Sequence, residues 1–353
     1  LAQEAFFSNL LPERREIRWS ERRKESFFCM SNKYRVVVTE PVIDEGLEKL
    51  KEVADLTILE RGSVTTEEDV IRELKGFDGA ITMLSNPVTE KVFASLPELK
   101  VIGNHAVGYN NIDIKAAQKH NVVIGNTPDV LTDSTADLTV GLLLAVTRKI
   151  PEADQFIREE KFDGWEPRGF LGLELNGKTL GIVGMGRIGK AVAKRLNAFG
   201  MNIIYHNRNQ VSNEIERSLN ARYVDEMGDL LEKSDIISIH CPLNEETYHL
   251  IDENRIKKFL KDTVIINTAR GPVVDEAALA EALISGHIAG AGLDVFEKEP
   301  EVHPKLLKSP NTVLLPHIGS ATNHTRKRMT ELAADAVYYV LSGRLEELET
   351  RVV

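Results

Sequence analysis

Three polar side chains in the second half of the chain each follow an apolar run of the kind that forms a buried strand. Arg270 comes after Ile265-Ile266-Asn267-Thr268-Ala269, Glu299 after Leu293-Asp294-Val295-Phe296, and His317 after Leu314-Leu315-Pro316. In open α/β sheets ligands bind beyond the carboxyl ends of strands, where these three would stand. An arginine there presents a planar fork of donors to a carboxylate or a polarised carbonyl and keeps its charge at any accessible pH. A histidine can give a proton to a developing alkoxide near neutrality, and a glutamate beside it orients the ring and favours its charged form. Singly, each has a plainer reading: a surface ion-pair residue, a loop carboxylate before Pro300, a histidine satisfied in the core. Together they read as an anion clamp and a proton donor, and a hydride carrier would complete one reaction.

The carrier's site is legible at Gly184-Met185-Gly186-Arg187-Ile188-Gly189. The spacing G-x-G-x-x-G is a weak signal alone, but here an apolar strand (Leu180 to Val183) precedes it. Ala191, Val192, Leu196 and Phe199 follow at helical spacing, and a second strand opens at Asn202. Gly184 allows the tight turn, Gly186 lets backbone approach a pyrophosphate, and Gly189 lets helix pack on strand. The helix then offers unpaired N–H groups to the phosphates, with Arg187 and Ile188 in its first turn.

The elements that position these groups alternate regularly. From Lys33 the pattern predicts strands at 34–39, 55–59, 79–84, 101–104 and 122–125, with helices at 44–53, 67–74, 90–95 and 114–120. A long buried helix is expected over Asp129 to Ile150, capped at Asp133 or Ser134, followed by strands at 180–183, 203–205, 236–240, 264–267, 289–295 and 312–315. A last helix, Thr325 to Leu341, comes after the second sheet is complete, and its apolar face needs a partner in the first. The fold class expected is α/β, with two Rossmann-like parallel-sheet domains, one flavodoxin-like and one dinucleotide-binding. Residues 33–128 plus 318–348 would bind substrate and 129–317 the dinucleotide. Residues 1–32 read as an N-terminal extension, expected to be disordered, because basic and acidic residues interleave there without a core pattern.

Composition narrows the class. A length of 353 residues and 42% hydrophobic content allow two buried cores, and a net charge of -10 argues against a nucleic-acid partner. Two cysteines, Cys29 and Cys241, build no disulfide framework, and no long uncharged apolar run suggests a membrane span. A reducing cytoplasm fits best. His240 and Cys241 end a strand without further ligand spacing, so they read as wall residues and no metal is expected.

At this point the chain resembles the D-isomer-specific 2-hydroxyacid dehydrogenases over about residues 33–345. The resemblance rests on Ala106-Val107-Gly108-Tyr109-Asn110-Asn111-Ile112-Asp113, the glycine loop, Asn267-Thr268-Ala269-Arg270-Gly271, Gly292-Leu293-Asp294-Val295-Phe296 through Glu299-Pro300, and Pro316-His317-Ile318-Gly319. It implies that Arg270, Glu299 and His317 are the catalytic set and that Asp294 meets the nicotinamide carboxamide. It further implies that the Val107 and Gly108 backbone N–H groups hold a substrate carboxylate, with Leu84 alongside. Thr135, Cys241, Pro242, Thr268, Ala269 and Gly319 would line the cofactor. Within the family the chain is most similar to glyoxylate and hydroxypyruvate reductases, through Met83-Leu84-Ser85, Asp133-Ser134-Thr135-Ala136-Asp137 and Gly164-Trp165-Glu166-Pro167. That implies a homodimer in which Trp165 shapes a small substrate pocket; the other reading of Trp165 is an aromatic packed under a domain linker.

Cofactor choice follows from charge. Enzymes using NAD place an acid after the second strand, roughly 20 residues past the first glycine, to hold the ribose 2′-hydroxyl. Asn207-Arg208-Asn209 stands there instead. Without a carboxylate to repel a 2′-phosphate, and with Arg208 to pair with it, NADP(H) is favoured over NAD(H). The expected reaction is reduction of a small 2-oxo acid such as glyoxylate or hydroxypyruvate to the D-2-hydroxy acid. The alternatives are a D-3-phosphoglycerate dehydrogenase and a non-catalytic, nucleotide-sensing corepressor-like protein.

Overall fold

The computed structural model describes residues 33–353, and the expectation for residues 1–32 lies outside the described residues. Two all-parallel sheets organise the chain. The first contains β1 (Tyr34–Val38), β2 (Ala54–Ile58), β3 (Gly79–Thr82), β4 (Val101–Asn104) and β5 (Val123–Gly125), in the order β2-β1-β3-β4-β5. The second contains β6 (Thr179–Val183), β7 (Asn202–His206), β8 (Ala221–Tyr223), β9 (Ile236–Ile239), β10 (Val264–Asn267), β11 (Gly290–Leu293) and β12 (Thr312–Leu314), in the order β12-β11-β10-β9-β6-β7-β8. Each order reverses direction once, between β1 and β3 in the first sheet and between β6 and β9 in the second. Those reversals open the crevices in which such sheets bind ligands.

Helices cover both faces of each sheet, which is why β3, β4, β9, β10 and β11 are buried along their whole length. The helix Thr132–Thr147 sets Leu142, Leu143 and Val146 into the core of the second sheet with Leu180, Ile182 and Ile266. Gly292 on β11 leaves room for Leu142, since a methyl group there would overlap its side chain. The helix Asn323–Leu341 follows β12 in sequence yet packs on β3, β4 and β5, burying Ala333, Ala334, Val337 and Leu341 against Val36, Ile81 and Val101. The chain then returns to the edge of the first sheet, where Val352 N–H donates to Ile124 O at 2.8 Å.

Several local expectations need correction. The helix expected over 44–53 is a 3-10 turn, Asp44–Gly46, followed by one short helical turn, Glu48–Lys51. The long helix expected to Ile150 stops at Thr147, because Lys149 takes a left-handed conformation with φ of 52°, and a separate helix, Ile150–Arg158, begins there. Its start is not capped by Asp133 or Ser134: the N-cap is Leu131, the Ser134 hydroxyl donates to Leu131 O, and Asp133 pairs with Arg195. Strand β8 and the helices Asn213–Leu219, Met227–Lys233 and Glu276–Ile284 were not foreseen. β8 is only three residues long at a sheet edge, too short to show an alternating pattern.

Candidate active site

The glycine loop joins β6 to the helix Arg187–Asn197. Gly184 sits at φ of 99° directly against the end of β9, where a side chain would collide with His240 O and Cys241 N. Gly189 backs onto Gly184 O so closely that no other residue fits, and this fixes the helix on the strand. Gly186 faces open space, and as N-cap it has no side chain to satisfy the N–H groups of Arg187 and Ile188. This cradle, a bare helix N-terminus with room for phosphate oxygens, fits the pyrophosphate of a dinucleotide. Asn207, expected to face a ribose, also closes the loop: its Oδ1 accepts from Met185 N–H at 2.6 Å. Arg208 is exposed and pairs with Glu246 at 3.4 Å, a partner that the sequence did not single out, and Asn209 is exposed beside it. Arg187 pairs with Asp129 at 2.5 Å across the loop.

Past β9, the Cys241 backbone lies against Gly184 of the loop, and Pro242 follows it in the chain. Burial pushes the Cys241 thiol up to about 11, so it stays protonated and acts as wall. The His240 ring is pushed by burial down to about 3 and is neutral, with Nε2 paired to Ser238 Oγ at 2.8 Å. Thr135, Thr139 and Thr268 form a buried hydroxyl chain: Thr139 bridges Thr135 O and Thr268 Oγ1, each at 2.8 Å, and Thr135 donates to Gly319 O at 3.2 Å.

Beyond β10, Asn267 ties a tight turn by accepting from Ala269 N–H at 3.0 Å and donating to Arg270 O at 2.9 Å. The turn aims Arg270 toward the first sheet, where its Nε donates to Asn110 Oδ1 at 3.2 Å. Its Nη2 lies against Gly108, a position where any side chain would overlap the guanidinium. Burial lowers the guanidinium's affinity for its proton and Glu299 opposes that, but arginine starts so high that it remains a cation. Asn110 is a site residue the sequence reading quoted inside a motif without giving it a task. Its position between Gly108 and the buried Ile112 was the available signal.

His317 Nδ1 meets Glu299 Oε2 at 2.8 Å, and Glu299 Oε1 accepts from Phe296 N–H at 3.0 Å. Burial would raise the Glu299 carboxyl, but the bond to His317, its charge, the Phe296 N–H and the Arg270 charge together hold it below the usual range. His317 sits at φ of 54°, a left-handed conformation rarely taken by residues other than glycine. Asp294 holds it there. One oxygen accepts from Ile318 N–H at 2.7 Å and the other from Gly319 N–H at 2.8 Å, while burial lifts this carboxyl above the ordinary range against those bonds. Asp294, assigned by resemblance to the nicotinamide, therefore also anchors the histidine loop.

Leu84 follows β3 and is half-buried, and Val107 and Gly108 follow β4 within reach of Arg270. Trp165 stands apart. It is 84% exposed, so it neither packs under a linker nor lines an enclosed surface of its own chain.

Residues 140–319 match the family model for the D-isomer specific 2-hydroxyacid dehydrogenase, NAD binding domain. A glyoxylate reductase of Thermococcus litoralis is 44% identical over 317 residues, covering 89% of this chain and 95% of that protein. The chain belongs to the D-isomer specific 2-hydroxyacid dehydrogenases. A glyoxylate reductase of Thermofilum pendens is 46% identical over 321 residues, covering 88% of this chain and 92% of that one. Among solved structures, an NADPH-dependent glyoxylate/hydroxypyruvate reductase of Sinorhizobium meliloti in complex with NADP and malonate is 35% identical. It superposes with a TM-score of 0.80 over 91% of this chain and 97% of its own. Membership makes this chain an oxidoreductase acting on CH–OH donors with a nicotinamide dinucleotide, which the glycine cradle fits. Among the described residues, no helix is long and apolar enough to cross a membrane.

Proposed function

We propose that this protein reduces small 2-oxo acids, glyoxylate and hydroxypyruvate first among them, to D-2-hydroxy acids with NADPH in the cytoplasm. One observation carries the reading. The Arg270 guanidinium reaches across from the second sheet to the Gly108 backbone and Asn110, while its charge is felt by the Glu299 that holds His317. This arrangement supports reading Arg270 as an anion clamp and His317 as a proton donor in one site. Val107 and Gly108 N–H take the substrate carboxylate, and Arg270 grips the carboxylate and the carbonyl oxygen. A nicotinamide dinucleotide held at the Gly184–Gly189 cradle would supply the hydride for the carbonyl carbon. His317 Nε2 gives its proton to the oxygen, and Glu299, bonded to Nδ1, keeps the ring in place for that transfer. In reverse, His317 removes that proton from a D-2-hydroxy acid.

The preference for NADPH rests on the missing acid after β7. Arg208 is free to exchange its exposed pairing with Glu246, worth about 0–1 kcal/mol, for a 2′-phosphate. The S. meliloti relative is named as NADPH-dependent. We also assign a homodimer. The helix Ile150–Arg158 buries none of its residues in its own chain, and Ile150, Ile157, Phe162, Trp165 and Leu171 expose a run of apolar surface that a second copy would cover. In that dimer Trp165 borders the substrate pocket.

A spectrophotometric panel tests the reading: NADPH and NADH, each with glyoxylate, hydroxypyruvate, pyruvate and phosphohydroxypyruvate. Turnover of the first two with NADPH is expected. Preference for phosphohydroxypyruvate would favour a phosphoglycerate dehydrogenase, and no turnover with any substrate would favour a nucleotide sensor. Light scattering should give twice the chain mass, and Ile157→Asp should lower it to one.

A further inference from the structure

The segment after β4 carries three consecutive carbonyls that are all gripped. Ala106 O accepts from Thr127 N–H at 3.0 Å, Val107 O from Asn126 Nδ2 at 2.8 Å, and Gly108 O from Asn104 Nδ2 at 2.9 Å. In a trans peptide the C=O of one residue and the N–H of the next point in opposite directions. Gripping those three oxygens therefore fixes the directions of the Val107, Gly108 and Tyr109 N–H groups. None of the three has an acceptor among the described residues. They lie beside Gly108, where the Arg270 guanidinium makes its close approach.

The two amides are themselves held in one orientation. Asn104 is fully buried, and its Oδ1 takes the donors Thr82 Oγ1 and Asn111 Nδ2, both at 3.4 Å, which leaves Nδ2 for Gly108 O. Asn126 sits just past β5, where its own N–H donates to Thr350 O at 3.2 Å, so the C-terminal segment fixes its backbone. We infer that Asn126 and Asn104 are positioning residues that lock three backbone N–H groups of residues 107–109 into an anion receptor for the substrate carboxylate, with Tyr109 N–H as the third donor. The inference rests on the proposed 2-oxo acid reading, and it explains how a glycine-containing loop can bind an anion without reorganising. A loop that must first rotate its peptides would lose binding free energy to ordering.

The test uses Asn126, which is half-buried and so tolerates change better than Asn104. Asn126→Ala removes the donor, and Asn126→Asp puts a carboxylate against Val107 O and near the bound anion. Because the carboxylate contact is the same in ground and transition states, KM for glyoxylate should rise about tenfold or more while kcat stays within about threefold. The inhibition constant of oxamate, a carboxylate analogue that is not reduced, should rise in parallel, and the dissociation constant of NADPH should not move. Calorimetric titration of oxamate into the NADPH complex reads the lock without turnover, so wild-type oxamate binding with no glyoxylate reduction would reject the proposed reaction and leave the receptor standing. Unchanged KM and oxamate affinity in a folded Asn126 variant would overturn the inference. So would a matched loss of kcat, NADPH affinity and melting temperature, which a purely structural role would cause. If Asn126→Asp does not fold, Asn126→Ala decides by the same readings.

Discussion

At the scale of single residues, the site separates groups that act from groups that aim them. His317 acts, yet its left-handed backbone exists because Asp294 binds the two N–H groups that follow it. His317→Ala should lower kcat by about 10²-fold or more, the usual scale for a lost general acid, with NADPH affinity nearly kept. Wild-type turnover in that variant would reject the assignment. Asn207 aims the glycine loop through Met185 N–H and stands where an acid would select NADH. Asn207→Asp keeps an oxygen for that bond and turns a carboxylate toward the ribose. It should move the NADPH/NADH ratio of kcat/KM toward NADH by roughly 5-fold to over 100-fold, the effect of about 1–3 kcal/mol of repulsion. A wild type that already prefers NADH, or a ratio the variant leaves unmoved, would return the cofactor to NAD.

Among the elements, the closing helix Asn323–Leu341 sits over glycines of the first sheet, and at one of them it is the helix backbone itself that comes close. Gly103, in the middle of β4, lies under the Ala333 carbonyl so closely that a methyl group would overlap backbone, which cannot move as a side-chain tip can. Gly103→Ala should push the helix off the first sheet and cost about 3 kcal/mol or more, at the upper end for overpacking. Gly141 gives the contrast. It is exposed within Thr132–Thr147 with nothing near the position of an added methyl, so Gly141→Ala should stabilise the protein by about 0.5–1 kcal/mol through helix propensity. Chemical denaturation of the two variants checks both, and an equal effect would refute the packing argument.

For the whole molecule, acid sensitivity follows from buried imidazoles. His105, at the end of β4, contacts Thr330 Oγ1 at 3.2 Å and feels the Arg326 charge, and burial followed by that charge pulls it down to about 4. A histidine in the unfolded chain takes its proton near 6.5. Above that value neither state is charged there. Between 6.5 and about 4 the unfolded chain binds the proton first, so stability falls as pH falls, by on the order of 3 kcal/mol from this one group, and then levels off. His240, pulled down to about 3, adds a loss of the same sign. Melting temperatures at pH 7, 6 and 5 should therefore decline, and His105→Gln should flatten the decline; an unaltered slope would show that His105 does not contribute.

The sequence by itself determined the fold class, most strands to within a residue or two, and the glycine loop, and it singled out Arg270, Glu299 and His317 as candidates. Each of those depends on local pattern: buried parallel strands are continuous apolar runs, and a phosphate turn needs glycines at set intervals. The short edge strand β8, the break at Lys149 and the start of the helix at Thr132 were lost because they depend on backbone dihedrals and partners that no local spacing encodes. The same holds for the aiming groups. Asn110 on the Arg270 fork, and Asn104 and Asn126 behind the carbonyls of residues 107 and 108, are ordinary polar residues in the sequence. Only the tertiary structure gave them tasks, because a hydrogen bond between residues far apart in the chain is decided by which strand ends the two sheets bring to one crevice.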